Sequence, residues 1–235
     1  MPGLSIVIPT LNEEQYLPKC LELIKQHASD LNEIEIIVVD AGSKDETLNT
    51  LSADIKLLSE PDYAGLKYKS LNAGARLAIF SNILFLDADS CVPQNFDKLI
   101  SEAVSEKNIV GGAFELKFLE RLPSLIIIES VNRFRYLSQK TYFGDQGIFV
   151  KKEVFEAIGG FPEFPIMEAS HFCRNLKRVG KLKLIHQPVF TSGRRFIQGN
   201  IAKVFTKDVL ISVKDSLGFD VQHYAKAYWS HNKSL

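Results

Sequence analysis

Short apolar runs alternate with amphipathic segments through the first half of the chain. Four of these runs have the length and the apolar content of buried strands: LSIVIP, IEIIVVD, IKLLS and ILFLDAD. Between the first two, Leu17, Cys20, Leu21 and Ile24 recur at the spacing of one helical face. Strands that alternate with helices are typical of βαβ units, so the pattern predicts an α/β domain with a largely parallel sheet.

The alternation loosens after Gly111. GGAFELKF is typical of a strand, SLIIIESVNRFRYL of a helix, and DQGIFVKKEVFEAIGGF of a strand followed by a short helix. EASHFCRNLKRVG predicts a further helix that ends at a glycine. Apolar residues at helical spacing predict a helical C-terminus: Ile197, Ile201, Val204 and Phe205.

Charge is unevenly distributed, although the net charge of the 235 residues is zero. From His171 to Leu235, twelve Lys and Arg accompany three Asp, a net charge of +9, which leaves −9 for the first 170 residues. The basic third is either a solvated helical surface or a contact with an anionic partner such as a membrane surface. The sequence has no basic stretch interleaved with aromatic residues, which would indicate nucleic-acid binding.

Three cysteines at wide spacing indicate neither a disulfide framework nor a zinc site. The first five residues lead directly into a strand, without the pattern of a signal peptide, and the longest apolar patches are too short to span a bilayer. We therefore expect a cytoplasmic protein, either soluble or peripheral at the inner face of the membrane.

Carboxylates follow the strand-like runs, in PTLNEE, DAGSKDE and DADS. Ligands of open parallel sheets bind beyond the carboxyl ends of the strands, so these segments are expected to converge. Asp87 and Asp89 are two residues apart and, in an extended segment, would point to the same side and share one Mg²⁺ or Mn²⁺. Such ions also take phosphate oxygens, which indicates a phosphorylated ligand. The alternative is that one aspartate caps a helix beginning at Pro93.

Two common nucleotide-binding loops are absent from the sequence. VIPTLNEE contains no glycine, which disfavours a dinucleotide-binding turn after the first strand. The GxxxxGK[ST] pattern of a P-loop is also missing.

The ordered motifs SIVIPTLNEE, EIIVVDAGSKDET, LNAGA, FLDADS, VGGAFELKF, YFGDQGIFV, GGFPEFPIME and TSGRRF resemble the family 2 glycosyltransferases of the GT-A fold. The resemblance is strongest to the small bacterial selenodomain-associated group and covers about residues 4–198. It implies a GT-A-like, Rossmann-like mixed and mostly parallel sheet flanked by helices.

The resemblance also implies site residues. In it, the PTLNEE turn and Asp40 hold the nucleoside, usually uridine, of a sugar nucleotide, although Asp40 is equally suited to ending a strand and capping a turn. The metal ligands are Asp89 and Asp87. The wider set expected at the nucleotide is Pro9, Thr10, Asn12, Glu13, Asp40, Gly42, Lys69, Asn72, Asp87, Ala88, Arg194 and Arg195.

Lys67 and Lys69 stand where relatives usually carry an arginine, and they and the two arginines of SGRRF can meet phosphate. The alternative for each arginine is a surface ion pair. GDQG resembles an acceptor-side loop, in which Gly144, Asp145 and Gln146 either contact a sugar or simply form the turn.

PIMEASHF departs from the family pattern at the expected catalytic base. Ala169 replaces an aspartate of the usual acidic pair and His171 replaces a later acidic residue, whereas Glu168 is retained. Three possibilities follow: Glu168 is the base, His171 is the base with Glu168 orienting it, or no transfer occurs.

The sequence therefore predicts a catalytic domain over residues 1–195, with a nucleotide-binding half to about residue 110 and an acceptor-side half over about 111–195. Residues 196–235 are expected to form a basic helical extension. The expected reaction is metal-dependent transfer of a sugar from a UDP-sugar, with inversion, to a lipid-linked or small-molecule acceptor. The alternatives are a degenerate nucleotide-sugar-binding protein and a nucleotidyltransferase, which would need a Gly-rich loop that PTLNEE does not supply.

Overall fold

The computed structural model describes residues 3–229 as a mixed sheet with helices on both faces. The strands are β1 (Leu4–Thr10), β2 (Ile34–Asp40), β3 (Lys56–Ser59), β4 (Asn82–Phe85), β5 (Ser90–Cys91), β6 (Ile109–Phe118), β7 (Ile148–Lys151) and β8 (Lys181–Thr191). The helices are α1 (Leu17–His27), α2 (Lys67–Leu77), α3 (Phe96–Ser105), α4 (Pro123–Gln139), α5 (Lys152–Ala157), α6 (Glu168–Val179), α7 (Arg194–Gln198), α8 (Ile201–Ser216) and α9 (Ala225–Trp229). Single turns of 3₁₀ helix lie at Leu31–Glu33, Pro61–Tyr63, Gly144–Gln146 and Gln222–Tyr224, and a slightly longer one lies at Glu46–Thr50.

The eight strands form one sheet in the order β3-β2-β1-β4-β7-β6-β8-β5. β1 pairs in parallel with both β2 and β4, β2 pairs in parallel with β3, and β6 pairs in parallel with β8. The antiparallel pairs involve β7, which lies between β4 and β6, and the short β5 at the edge beside β8. The predicted mixed, mostly parallel sheet is confirmed.

Both faces of the central strands are buried, which explains why their sequences are continuous apolar runs. In β1, Ile6 and Ile8 pack with α1 and α3 in one cluster, whereas Val7 packs on the opposite face with residues of α2 and α6. Ile83 and Leu84 of β4 divide between the same two clusters. Two cores thus hold the central strands and fix where their carboxyl ends lie.

Strand β8 was not predicted, although at eleven residues it is the longest strand. Its sequence KLKLIHQPVFT contains Pro188, which normally argues against a central strand. The register shifts here, because Phe114 pairs with Ile185 and the next residue, Glu115, pairs with Pro188. The bulge accommodates the proline, which has no amide hydrogen for the ladder.

Two helix boundaries correct the sequence-based expectations. α3 begins at Phe96 with Asn95 at its N-cap, so neither Asp87 nor Asp89 caps it. The C-terminal apolar series is divided between α7 and α8 at Gly199 and Asn200, and Asn200 caps α8 by accepting a hydrogen bond from the amide of Lys203.

The end of the predicted helical extension, residues 230–235, lies outside the described residues. No helix within residues 3–229 combines the length and apolarity that crossing a bilayer requires.

Candidate functional site

Charged side chains converge where parallel strands end. Glu13 follows β1, Asp87 follows β4 and Arg194 follows β8, and these three strands run in the same direction. Because β8 was missed in the sequence, the position of Arg194 at this edge could not be derived from the strand pattern. The predicted convergence of PTLNEE and DADS is confirmed by contacts that Arg194 makes to both segments.

The loops after β1 and β2 are joined by hydrogen bonds. The amide of Asn12 donates to Ser43 Oγ at 2.9 Å, and Asn12 Oδ1 accepts from the amide of Lys44 at 2.8 Å. The amide of Glu13 donates to Thr47 Oγ1 at 2.7 Å. Asn12 has a left-handed backbone with φ of 57°, a conformation that asparagine adopts more readily than most residues. These bonds fix the segment that carries Glu13.

Asp40 caps the turn that follows β2. Asp40 Oδ2 accepts from the amide of Gly42 at 3.0 Å, and Oδ1 accepts from Ser43 Oγ at 2.5 Å. Only 1% of Asp40 is exposed. Gly42 has φ of 90°, which requires glycine at this turn. The turn-capping alternative for Asp40 is therefore the one built into the structure, and a nucleoside contact by Asp40 remains a prediction.

Asp87 and Asp89 lie in a turn, which corrects the prediction of an extended segment. The amide of Ser90 donates to the carbonyl oxygen of Asp87 at 3.0 Å, and β4 has already ended at Phe85. The two carboxylates consequently have different partners. Asp87 Oδ1 pairs with Lys67 Nζ at 2.5 Å, whereas Asp89 Oδ1 accepts from Thr191 Oγ1 at 3.3 Å.

Arg194 links the loop after β1 to the aspartate turn. Its guanidinium pairs with Glu13 Oε1 at 2.5 Å and with Asp89 Oδ2 at 3.3 Å, and it stacks 4.3 Å from the ring centre of Tyr16. Its side chain is 23% exposed. Contacts with two carboxylates and a ring place this guanidinium at the opening of the site.

Lys67 is the second cation of the site. Besides its pair with Asp87, it lies within electrostatic reach of Glu168 and Asp145. Burial opposes the charged form of the amine, but these neighbouring carboxylates raise the pKa of Lys67. A Cβ at Gly144 would approach Lys67 Nζ to 2.9 Å, so this glycine leaves the space that the lysine occupies.

Negative charge is in excess around these two cations. Burial raises the pKa of Glu13 to about 7 against the opposing effect of Arg194. Burial, and then repulsion from Asp87, raise the pKa values of both Asp89 and Asp145 to about 6. Burial also raises the pKa of Glu168, which Lys67 opposes. Carboxyl groups whose pKa values are raised in this way favour a ligand that brings positive charge.

Two buried carboxylate oxygens of the site, Glu13 Oε2 and Asp145 Oδ1, have no hydrogen-bond partner among the described residues. In the same part of the chain, no three Asp, Glu, His or Cys side chains form a ready-made metal cage. This donor set fits a hard divalent cation held by one or two carboxylates, with phosphate and water completing its shell. Asp87 and Asp89 are the residues that would hold it, because the excess of carboxylate is centred on them.

The acceptor-side loop contributes one residue of the predicted set and uses another for its own structure. Asp145 faces the site and lies in the field of Asp87 and of Arg135. Gln146 is buried, and its side chain accepts from the amide of Phe143 at 3.1 Å and donates to the carbonyl of Phe114 at 3.2 Å. The side chain of Gln146 therefore forms the turn and is not directed at a sugar.

Glu168 and His171 are not partners. Glu168, the first residue of α6, is buried within electrostatic reach of Lys67 and Asp87. His171 Nε2 instead contacts Asp215 Oδ1 of α8 at 2.7 Å, and its ring lies 4.3 Å from that of Phe164. The predicted orientation of His171 by Glu168 is therefore wrong, and Glu168 is the better candidate base.

Ala169 lies on the core side of α6. It is 4% exposed and belongs to the same cluster as Phe172 and Cys173. The methyl group thus packs among apolar side chains in this protein.

Several other predicted nucleotide contacts lie away from the charged cluster or are occupied. Asn72 makes two 2.8 Å hydrogen bonds to the backbone of Phe161, one in each direction. Arg195 points to the C-terminal helices, where it pairs with Asp208 at 2.6 Å and with the hydroxyl of Tyr228. Lys69 lies 5.8 Å from the ring centre of Tyr63. Asn72 and Arg195 therefore have partners within the protein, and a nucleotide contact by Lys69 stays a prediction. Pro9, Thr10 and Ala88 are backbone neighbours of the cluster, and Ala88 is buried between the aspartates.

Sequence reasoning missed Tyr16, Arg135 and Thr191. Tyr16 can be identified as a site residue only from the stacking of Arg194 on its ring. Thr191 can be identified only from its position at the end of β8. Arg135 stacks 3.7 Å from the ring centre of Phe143 and faces Asp145. A basic residue in the last turns of an amphipathic helix carries no sequence signal for such a role.

Residues 5–159 match the family model described as glycosyl transferase family 2, which is well over half of the chain. The chain belongs to glycosyl transferase family 2. The matched region contains Glu13, Asp40, Asp87 and Asp89, and it ends before Glu168 and Arg194. The selenodomain-associated subgroup stays a prediction.

Two curated relatives support this placement in family 2. The chain is 26% identical over 176 residues to glycosyltransferase AglE of Haloferax volcanii, covering 69% of this chain and 57% of that protein. It is 31% identical over 151 residues to undecaprenyl-phosphate 4-deoxy-4-formamido-L-arabinose transferase of Pseudomonas fluorescens, covering 59% of this chain and 44% of that protein. The chain thus spans about half the length of these relatives.

Solved structures of glycosyltransferases share the GT-A fold of this family 2 chain. Mannosyltransferase PcManGT from Pyrobaculum calidifontis, solved with GDP-Man and Mn²⁺, superposes with a TM-score of 0.66 at 20% identity and covers 97% of this chain and 64% of that one. TarS 1–349 of S. aureus in complex with UDP gives a TM-score of 0.61 at 17% identity and covers 81% and 60%. At these identities the likeness shows the fold alone.

Proposed function

We propose that this family 2 chain transfers a sugar from a nucleotide sugar, a UDP-sugar in the first instance, to an acceptor nucleophile with inversion. The observation that carries the proposal is the convergence of Glu13, Asp87, Asp89, Lys67 and Arg194 at the carboxyl edge of a GT-A sheet. Family membership favours this function over a nucleotidyltransferase.

The nucleoside would bind along the loops after β1 and β2, over Pro9–Glu13 and Asp40–Gly42, in the half that ends near residue 110. A Mn²⁺ or Mg²⁺ held by Asp87 and Asp89 would supply Lewis-acid stabilisation of the leaving diphosphate. Lys67 and Arg194 lie on either side of that aspartate pair, and both can turn to phosphate once a cation offsets the carboxylates.

Glu168 is our candidate for the group that takes the acceptor proton. It is buried near Lys67, and burial raises its pKa, which improves a carboxylate as a base near neutral pH. The acceptor would enter beside Asp145, in the half formed by residues 111–195. The name of the Pseudomonas fluorescens relative states an undecaprenyl phosphate, so a lipid-linked acceptor is the class we favour.

The proposed function is tested by nucleotide release from a panel of UDP-sugars, with Glu168→Gln compared with wild type. Loss of a general base reduces turnover by about 10²–10⁴-fold, and we expect the UDP dissociation constant to change little. His171→Asn is the matched control, because its side chain contacts Asp215 rather than the site. Wild-type binding of UDP without turnover of any UDP-sugar would favour the degenerate nucleotide-sugar-binding protein instead.

A further inference from the structure

Helix α4 carries apolar side chains on the side that faces away from the core. Leu125 and Ile128 are buried, whereas Ile127, Val131 and Phe134 are 63%, 44% and 78% exposed. The exposed three recur at i, i+4 and i+7 and therefore form one stripe along the helix.

Helix α8 repeats this arrangement. Val204 and Ile211 are buried, and the opposite face exposes Val209 at 40%, Val213 at 50% and the C-cap residue Leu217 at 70%. These residues lie at i, i+4 and i+8, so the helix is apolar on two sides. Most of the large hydrophobic side chains that the structure exposes lie in residues 119–137 and 197–219. A patch of this kind usually marks a binding surface.

The two helices are connected through one hydrophobic cluster. Leu125 and Ile128 of α4 share a hydrophobic cluster with Phe196 of α7 and with Ile201 and Phe205 of α8. We call the exposed apolar residues of α4 and α8 the outer apolar face. Its two stripes flank a single buried cluster, so they belong to the same part of the protein.

The acidic side chains of α4 and α8 are paired with arginines of the protein. α4 and α8 contain three acidic residues, and each of them is neutralised by an arginine within the protein. The pairs are Glu129 with Arg121, Asp208 with Arg195, and Asp215 with Arg174.

Basic charge is left available beside the same face. Lys203, Lys207 and Lys214 follow one flank of α8 at i, i+4 and i+11, and in the described part of the chain none of them makes an ion pair. Lys207 and Lys214 donate to neutral oxygens, those of Ala227 and of the Tyr224 hydroxyl. The flank therefore keeps its positive charge for an anionic partner.

A cavity of about 360 Å³ opens on this flank, lined by Arg195, Asn200, Lys203, Lys207 and Tyr228 among others. Arg195 is the residue after Arg194, which contacts Glu13 and Asp89. The basic flank is thus directly connected through α7 to the candidate site.

We propose that the outer apolar face docks on an anionic lipid bilayer, with its apolar side chains in the interface and the α8 lysines at lipid phosphates. Buried apolar area together with attraction of lysines to anionic lipids is the physical basis of interfacial helix binding. A second copy of this chain is a poorer occupant, because a twofold dimer through α8 would bring two lysine rows together. The proposal does not depend on the proposed transfer reaction.

The test is flotation of the full chain with vesicles of phosphatidylcholine alone and of phosphatidylcholine mixed with phosphatidylglycerol. We expect binding to the anionic vesicles, about 100-fold weaker for Lys203→Gln/Lys207→Gln/Lys214→Gln, because each lysine near an anionic surface contributes about 1 kcal/mol. Added salt should weaken wild-type binding. Lys98→Gln, an exposed change on α3, is the matched control.

The apolar contribution is tested separately by Phe134→Asp/Leu217→Asp. Leu31→Asp is the control, because Leu31 is 52% exposed and lies outside the outer apolar face. The double variant should lose vesicle binding and keep its affinity for UDP, and the control should keep both. Equal binding of wild type to the two vesicle types, or no binding, would overturn the proposal. A dimer in sedimentation velocity that Phe134→Asp/Leu217→Asp dissociates, without vesicle binding, would assign the face to self-association instead.

Discussion

Replacing Glu13 by Gln tests whether the candidate site carries more negative charge than its own cations offset. Glu13 contacts Arg194 through Oε1 at 2.5 Å, yet its Oε2 is buried without a partner among the described residues. Burial outweighs the arginine and raises the pKa of Glu13 from 4.5 to about 7. An amide has nearly the same shape and carries no charge, so the substitution removes the ionisation and little else.

The size and sign of the effect follow from the pKa. Because the folded protein holds the Glu13 proton more tightly than the unfolded chain, the contribution of this group to stability is lost as pH rises from 4.5 through about 7. Each pKa unit corresponds to 1.36 kcal/mol, so the full loss is about 3 kcal/mol above pH 7. We expect Glu13→Gln to be more stable than wild type by about 2–3 kcal/mol at pH 8 and by less than about 1 kcal/mol at pH 5.

The assay is urea unfolding of the ligand-free protein at the two pH values, followed by far-UV circular dichroism. Glu14→Gln is the matched control, because Glu14 is the exposed neighbour of Glu13 and should change stability little at either pH. If Glu13→Gln destabilises the protein equally at pH 5 and pH 8, Glu13 is ionised and stabilised by Arg194, and the argument for excess negative charge is refuted.

Three further substitutions test contacts that the sequence did not indicate. Asn72→Ala should lower the free energy of unfolding by about 2 kcal/mol or more, because it leaves the buried amide and carbonyl of Phe161 unpaired, and UDP affinity by calorimetry should be unchanged. Asp215→Ala should cost about 1.5–3 kcal/mol in urea unfolding, because it removes the buried acceptor that both Arg174 and His171 contact; a loss below about 0.5 kcal/mol would contradict this. Ala169→Asp should destabilise the protein by about 3 kcal/mol or more and leave nucleotide release no faster, because the carboxylate would enter an apolar cluster; a gain in turnover would contradict our placement of Ala169.

The nucleotide-binding half could be predicted because its signals are local. Buried parallel strands leave continuous apolar runs, and the polar segments after β1, β2 and β4 then converge by topology alone. Asp87 and Asp89 were recognised as site residues for this reason. Their conformation was not, because the turn closed by Ser90 leaves no pattern in the sequence.

Partners distant in sequence account for most of the corrections. Arg194 contacts Glu13, 181 positions earlier in the sequence. The strand that precedes Arg194, β8, contains a proline and a bulge, which is why its sequence does not indicate a strand. Asn72 lies in a family-like motif, but its two hydrogen bonds go to a loop 89 residues away. A contact of this kind is determined by how the elements pack, and the sequence pattern of either partner alone does not specify it.

Calorimetric titration of UDP in the presence of Mn²⁺ and again with EDTA, on wild type and Asp89→Asn, tests whether the aspartate turn holds a cation for the diphosphate. Asp62→Asn, an exposed change in the Pro61–Tyr63 turn, is the control. We expect UDP to bind to wild type and to the control only when Mn²⁺ is present, and Asp89→Asn to lose this binding. UDP binding of equal strength with EDTA, or undiminished in Asp89→Asn, would contradict a cation held at the aspartate turn.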